Sequence, residues 1–282
     1  MPARALPESC SRLVPLFRGT LLAVDDWRCA GHDTPASHEE TSDAHCLVVT
    51  RRGAWELRVA GRPRLADPGV AVAWPRGRPT QVRHPIGGGD HCTLFRLTPA
   101  GVEALAMTGA GRRHEADGPL PPLLPLDGPT YLRHRRALAA ARAGADPLLV
   151  EDAALGFLRH AVPGAATAVT HSAAARRRVD AAREVIARDF RGRLTVAGIA
   201  RAAGCSPFHL GRLFRAATGL SLHRAVTRLR LREALERVLD EPAALSRIAL
   251  DTGFASHSHL TDAFRAEYGV APRHLRGPGL PA

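Results

Sequence analysis

In the first half of the chain, hydrophobic and polar residues alternate with a period of two. Ala54 to Ala60 shows this most clearly: Trp55, Leu57 and Val59 share one face, Glu56 and Arg58 take the other, and Gly53 and Gly61 mark the ends. His45 to Arg51, Val70 to Trp74, Thr80 to His84 and His91 to Leu97 are further strand-like runs, so residues 45 to 97 predict a small antiparallel β-barrel or sandwich. Residues 109 to 129 contain Pro119, Pro121, Pro122, Pro125 and Pro129, and are expected to connect rather than to form a regular element. The period then lengthens to that of a helix. Tyr131 to Ala143 and Pro147 to Ala161, with Leu148, Leu149, Leu155 and Leu158 at helical spacing, predict an antiparallel helix pair. A second linker is expected around residues 163 to 175.

The last hundred residues carry a different pattern. Arg176 to Arg188 predicts an opening helix with Val179, Ala182, Val185 and Ile186 inward. Thr195 caps a short helix that buries Val196, Ile199 and Ala200. After Gly204, Ser206 serves as an N-cap and Pro207 takes the first helical position, where its missing N–H is harmless. Leu210, Leu213 and Phe214 face inward, leaving Phe208, His209, Gly211, Arg212 and Arg215 outward. Gly219 ends that helix, and Ser221 to Leu239 forms a long connector whose Arg228, Arg230 and Arg232 are expected to be a solvated face. A second unit begins near Leu245 and buries Ile248, Ala249 and Phe254. Its helix from Ser256 to Tyr268 turns Leu260, Ala263 and Phe264 inward and His257, Ser258, Thr261, Asp262 and Arg265 outward. Each unit, at 195–217 and 245–268, has a short apolar helix, a tight glycine turn and a second helix with a polar outer face. That is the order a major-groove reader requires.

Composition narrows the picture. A chain of 282 residues accommodates two domains, and no run of about 18 apolar residues is present to span a membrane. Arg4, Glu8, Arg12 and Pro15 interrupt the N-terminus where a signal peptide needs an apolar core, so the cytoplasm is the expected location. Cysteines at 10, 29, 46, 92 and 205 include no CxxC pair and do not read as a disulfide framework. Of the formal net charge of +12, +9 falls from residue 176 onward, which favours a polyanion such as the phosphate backbone.

Residues 176 to 276 resemble the AraC/XylS family of bacterial transcription regulators. The resemblance rests on Ala200, Gly204, Ser206, Leu210, Phe214, Gly219, Arg230, Ala234, Ile248, Ala249, Gly253, Phe254, Ser256, Phe264, Gly269 and Pro272 at fixed spacing. It implies an α+β chain of two domains. Residues 1–162 would be a cupin-like antiparallel β-barrel with a helix pair, sensing an effector and dimerising, and residues 176–276 an all-α tandem helix-turn-helix domain. It also implies a regulator, such as an activator, and not an enzyme. Its partners would be double-stranded promoter or operator DNA, a small-molecule or metal effector, a second copy as homodimer and RNA polymerase, with no membrane. The base-facing positions would be Phe208, Gly211 and Arg212 on the first reader helix and His257, Ser258, Thr261 and Asp262 on the second. Two of these depart from the family's habit: Gly211 has no side chain to offer, and Asp262 stands where a basic or amide residue is common. Arg212 can bond guanine O6 and N7 bidentately. Asp262 could accept from cytosine N4 or orient a neighbouring arginine, while Arg215 and Arg265 suit phosphates.

In the first half, Gly69, Pro75 and Gly77 resemble the turn of a cupin motif, but His38, Glu39, Glu40 and His45 lack the spacing of a catalytic cupin metal site. Cysteine and histidine nevertheless cluster, as Cys29, His32, His38, His45, Cys46, His84, His91 and Cys92. If folding unites Cys29, His45, His84 and Cys92, they could form a Cys2His2 site for zinc or another thiophilic metal, or a thiol sensor. The alternative is that the cysteines are small buried hydrophobes and the histidines line a polar rim or organic pocket. Three readings therefore stand beside an effector-controlled regulator: a metal- or thiol-sensing regulator, a cupin-type enzyme joined to a DNA-binding module, and an architectural DNA-binding protein.

Overall fold

The computed structural model describes residues 11–30, 39–107, 120–162 and 172–276. The chain divides into two units, Met1–Ala166 and Thr167–Ala282. No helix among the described residues is long and apolar enough to cross a membrane.

The N-terminal unit is built on ten strands: β1 (Ser11–Arg18), β2 (Leu22–Cys29), β3 (Glu40–Thr41), β4 (His45–Arg52), β5 (Trp55–Val59), β6 (Arg62–Ala66), β7 (Val70–Trp74), β8 (Pro79–Arg83), β9 (Asp90–Leu97) and β10 (Leu123–Pro125). They form two antiparallel sheets, in the orders β1-β2-β9-β4-β7-β10 and β3-β8-β5-β6. Cys46, Val48, Val72 and Cys92 of the first sheet share one apolar cluster with Trp55, Leu57, Val59 and Ala66 of the second. The alternation read at Trp55, Leu57 and Val59 thus buries one face of β5.

β1 and β2 lie outside the predicted strands, for a physical reason. β2 is an interior strand whose Leu22, Val24, Asp25 and Asp26 are all buried, so it shows no alternation. Its acids are compensated: Arg18 pairs with Asp25 at 2.6 Å, while Arg51 and Arg142 hold Asp26. The expected connector at 109–129 is also corrected over its described part. Leu123–Pro125 pairs with β7, and the proline is tolerated because β10 is a short edge strand. Residues 109–119 lie outside the described residues.

Three helices complete this unit: α1 (Pro99–Met107), α2 (Gly128–Arg142) and α3 (Pro147–Ala161). Gly128 and Pro129 open α2 rather than close a loop, with Asp127 accepting from the backbone N–H of Thr130 at 2.8 Å. Helices α2 and α3 pack together as expected, but the buried stripe of α3 is Val150, Ala154, Leu155, Phe157, Leu158 and Ala161. Leu148 and Leu149 face outward, 76% and 56% exposed, because they occupy the first turn on the opposite side.

The C-terminal unit is all helical: α4 (Ala173–Asp189), α5 (Val196–Ala202), α6 (Pro207–Thr218), α7 (Leu222–Asp240), α8 (Leu245–Asp251), α9 (His257–Tyr268) and a 3-10 turn at Pro272–Leu275. Helix α4 begins three residues before Arg176, with Ser172 as its cap. Its Val179, Ala182, Val185 and Ile186 join Ile199, Ala200, Leu210 and Phe214 in one core, which Leu222, Val226 and Leu229 of α7 complete. The later half of α7 buries Ala234, Leu235 and Val238, as α8 and α9 bury Ile248, Ala249, Leu260 and Phe264.

The expected solvated face of α7 is overturned. Arg232 is fully buried and donates to the Tyr268 hydroxyl at 3.2 Å. Arg230 donates to the carbonyl oxygens of Phe190 and Gly192, and Arg228 pairs with Glu267. These arginines fasten helices together, so they add little to the charge offered to a polyanion.

Candidate nucleic-acid interface

The two helix-turn-helix halves repeat one design. A seven-residue helix leads through a turn to a twelve-residue helix in both, α5 to α6 and α8 to α9. Ser206, Leu210, Phe214 and Gly219 recur fifty residues later as Ser256, Leu260, Phe264 and Gly269. Each serine hydroxyl accepts a backbone N–H of its helix, from His209 at 3.3 Å and His259 at 3.1 Å. Each closing glycine is left-handed, at φ +72° and +76°. Both leucines and Phe264 are fully buried and Phe214 nearly so, which turns the opposite side of each helix outward.

The turns differ. Gly204, at φ +65°, has open space where a Cβ would stand, whereas a Cβ on Gly253, at φ +87°, would meet the Arg191 carbonyl oxygen at 2.7 Å and the Arg230 guanidinium. The second turn therefore requires glycine both for conformation and for close approach.

On α6, Phe208 is 76% exposed and the Arg212 guanidinium lies 5.6 Å over its ring. That stacking limits the arginine's freedom while leaving its donors outward. Gly211 faces open space, and Arg215 is exposed one turn further on. His209 is half-buried: Arg178 of α4 reaches its Nε2 at 3.5 Å, placing it at the edge of the outward face.

On α9, His257, Ser258, Asp262 and Arg265 are exposed and Thr261 is half-buried, with its hydroxyl 3.4 Å from His257 Nε2. His259, which the sequence reading passed over, is exposed and sets its ring edge-on to Phe254 at 5.2 Å. The fifty-residue repeat was the available signal, since His259 matches His209. Beneath the helix, buried Glu267 accepts from Arg224 at 2.7 Å. Burial, opposed by the nearby Arg232 guanidinium, pushes the Tyr268 phenol up to about 12.

The N-terminal Cys/His set is only partly assembled. Ligand atoms of Cys29, His84 and Asp90 lie within 4.8 Å of one another. His45 stands apart at the start of β4, where its Nδ1 accepts the backbone N–H of Arg76. Burial, then Arg76, lowers its pKa. In the sheet register His45 faces Leu97 while Thr50 faces Cys92, five residues or about 17 Å along the strand. Cys92 is buried and donates to Asp90 Oδ2 at 3.1 Å. Burial and the Asp90 carboxylate hold this thiol well above its ordinary range, so it behaves as a neutral donor. Thus, of the expected four, Cys29 and His84 come together with Asp90, whereas His45 stands apart and Cys92 lies behind Asp90 as a hydrogen-bond donor. His32, His38 and Cys10 lie outside the described residues.

Residues 199–277 match a family described as helix-turn-helix domain. Over 78 residues the chain is 38% identical to the HTH-type transcriptional regulator GlxA of Rhizobium meliloti (strain 1021), covering 28% of this chain and 24% of that protein. Over 81 residues it is 32% identical to the probable transcription factor PqrA of Proteus vulgaris, covering 29% of this chain and 66% of that one. A solved transcriptional regulator of the AraC-type DNA-binding domain-containing proteins, from Chromobacterium violaceum, is 25% identical and covers 37% of this chain and 94% of its own, with a TM-score of 0.35. The chain therefore spans about a quarter of the length of GlxA. Paired turns, repeated reader helices and the family match agree: the C-terminal unit carries an AraC-type helix-turn-helix domain.

Proposed function

We propose that the chain is a sequence-specific transcription regulator that binds double-stranded promoter DNA in the cytoplasm under control of an effector held in its N-terminal unit. The observation that carries this reading is the repeated pair α6 and α9, each with its apolar side buried and its polar side exposed. Two such helices joined by one long connector suit successive major-groove segments, about 34 Å apart along the duplex. Arg212 reads a guanine edge, Asp262 accepts from cytosine or orients a neighbour, and Arg215 and Arg265 hold phosphates. A homodimer and RNA polymerase complete the set of partners, with exposed Leu148 and Leu149 offering an apolar face for a second copy. No catalytic step is assigned.

Selection of bound duplexes from a random pool by the full chain tests this. The expected result is an enriched site with two short elements centred about 10 base pairs apart, one of them containing guanine. Uniform retention of all sequences would refute sequence-specific reading.

A further inference from the structure

The glycine-rich segment between β8 and β9 brings two strand ends unusually close. A Cβ on Gly89, at φ +73°, would stand 2.0 Å from the Cys29 carbonyl oxygen, and one on Gly53 would be equally close to the Gly89 carbonyl oxygen. With no side chains between them, the end of β2 and the start of β9 are clamped together. Cys29 pairs directly with Asp90 across the sheet, and His84 follows the last residue of β8. Three different donor types meet there within 4.8 Å: a thiol, an imidazole and a carboxylate.

We propose that Cys29, His84 and Asp90 bind one thiophilic divalent cation of the zinc type, with no fourth protein ligand among the described residues. Sulfur, nitrogen and oxygen donors from three side chains are a set that zinc accepts, whereas magnesium and calcium prefer all-oxygen surroundings. Bonds of about 2.0 to 2.3 Å in a tetrahedron place donor atoms about 3.3 to 3.8 Å apart, a spacing the cluster can reach. His84 Nε2 and Asp90 Oδ1 now share a hydrogen bond at 2.7 Å. Binding lengthens that contact by less than about 1 Å and puts the cation in place of the proton between the two groups, which passes to solvent. The proton on the Cys29 sulfur leaves to solvent in the same event.

The other Asp90 oxygen keeps its hydrogen bond from Cys92, whose sulfur also lies 3.8 Å from the Thr50 hydroxyl. This second layer orients the ligating carboxylate. Asp90 is 3% exposed, while Cys29 and His84 are partly exposed. In the absence of a cation, the same residues would simply be a hydrogen-bonded histidine–aspartate pair beside a thiol.

The full chain, stripped with a chelator and dialysed against zinc chloride, distinguishes these cases by elemental analysis. One zinc per chain is expected. Cys29→Ser and His84→Ala should each weaken binding by more than about 100-fold, and Cys92→Ser by about 10-fold, the range for an outer-layer partner. His45→Ala should leave it unchanged. Because a variant can misfold, alkylation of the unaltered chain by iodoacetamide is read at Cys29 by mass spectrometry; zinc should slow it at least about tenfold. Substoichiometric zinc, zinc retained at full affinity by both ligand variants, or alkylation of Cys29 indifferent to zinc would each overturn the proposal. None of these measurements involves DNA, so their failure is separate from any failure of DNA reading.

Discussion

In the first helix-turn-helix half, Arg212 follows exposed Phe208 by one helical turn; fifty residues later the same two places hold Asp262 and Ser258. The buried sides are nearly identical, leucine matching leucine and phenylalanine matching phenylalanine, with serine and glycine at the same ends. Residues that close a helix and fill a core are constrained by the fold, whereas outward residues are free to vary. The halves also differ in their fastening. Glu267 ties α9 to α7 through Arg224 and Arg228, and Tyr268 covers Arg232. The matching Ala217 and Thr218 of α6 make no ion pair, and that helix relies on apolar packing.

This contrast can be broken at several points. Glu267→Ala removes one partner from a buried charge pair and should destabilise the C-terminal unit by about 3 kcal/mol, read from its thermal or urea transition. Ala217→Glu, at the matching exposed site, should shift the same transition by less than about 0.5 kcal/mol. Similar shifts from the two changes would erase the distinction in fastening. At the turns, Gly204→Ala should cost about 1 to 2 kcal/mol for its left-handed backbone alone. Gly253→Ala adds a collision with the Arg191 carbonyl oxygen and should cost clearly more. Parity between them would mean that the close approach at Gly253 relaxes freely. The caps sharpen the shared part of the design: Ser206→Ala and Ser256→Ala should each cost about 1 kcal/mol, equally in the two halves.

The helices of the DNA-binding half were legible because apolar residues at positions such as Leu210, Phe214, Leu260 and Phe264 repeat at 3.6 and are bounded by caps that belong to no other element. What could not be read was tertiary. Arg228, Arg230 and Arg232 look solvent-facing in a sequence, since an arginine's partners lie on other helices. Strand β2 escaped notice because Asp25 and Asp26 are buried and paired, which hides its character from any hydropathy pattern. Leu148 and Leu149 satisfied the helical spacing but sit on the outward side of α3, as periodicity marks a stripe without saying which residues at its margin are covered. Within the cysteine–histidine set, Asp90 was overlooked and His45 included for the same reason: only the β2–β9 register puts Asp90 opposite Cys29, and only the β4–β9 register carries His45 to the far end.

Because charge on α7 is spent on internal contacts, under the proposed reading sequence preference rests on few outward side chains, with Arg212 foremost. The direct test is the affinity of the unaltered chain and of Arg212→Ala for a selected duplex and for a random duplex, measured in parallel at one salt concentration. The expected loss on the selected duplex is about 1 to 3 kcal/mol, roughly 5- to 150-fold, with little change on random DNA. Equal losses on both duplexes would contradict base reading by Arg212 and reduce it to a phosphate contact.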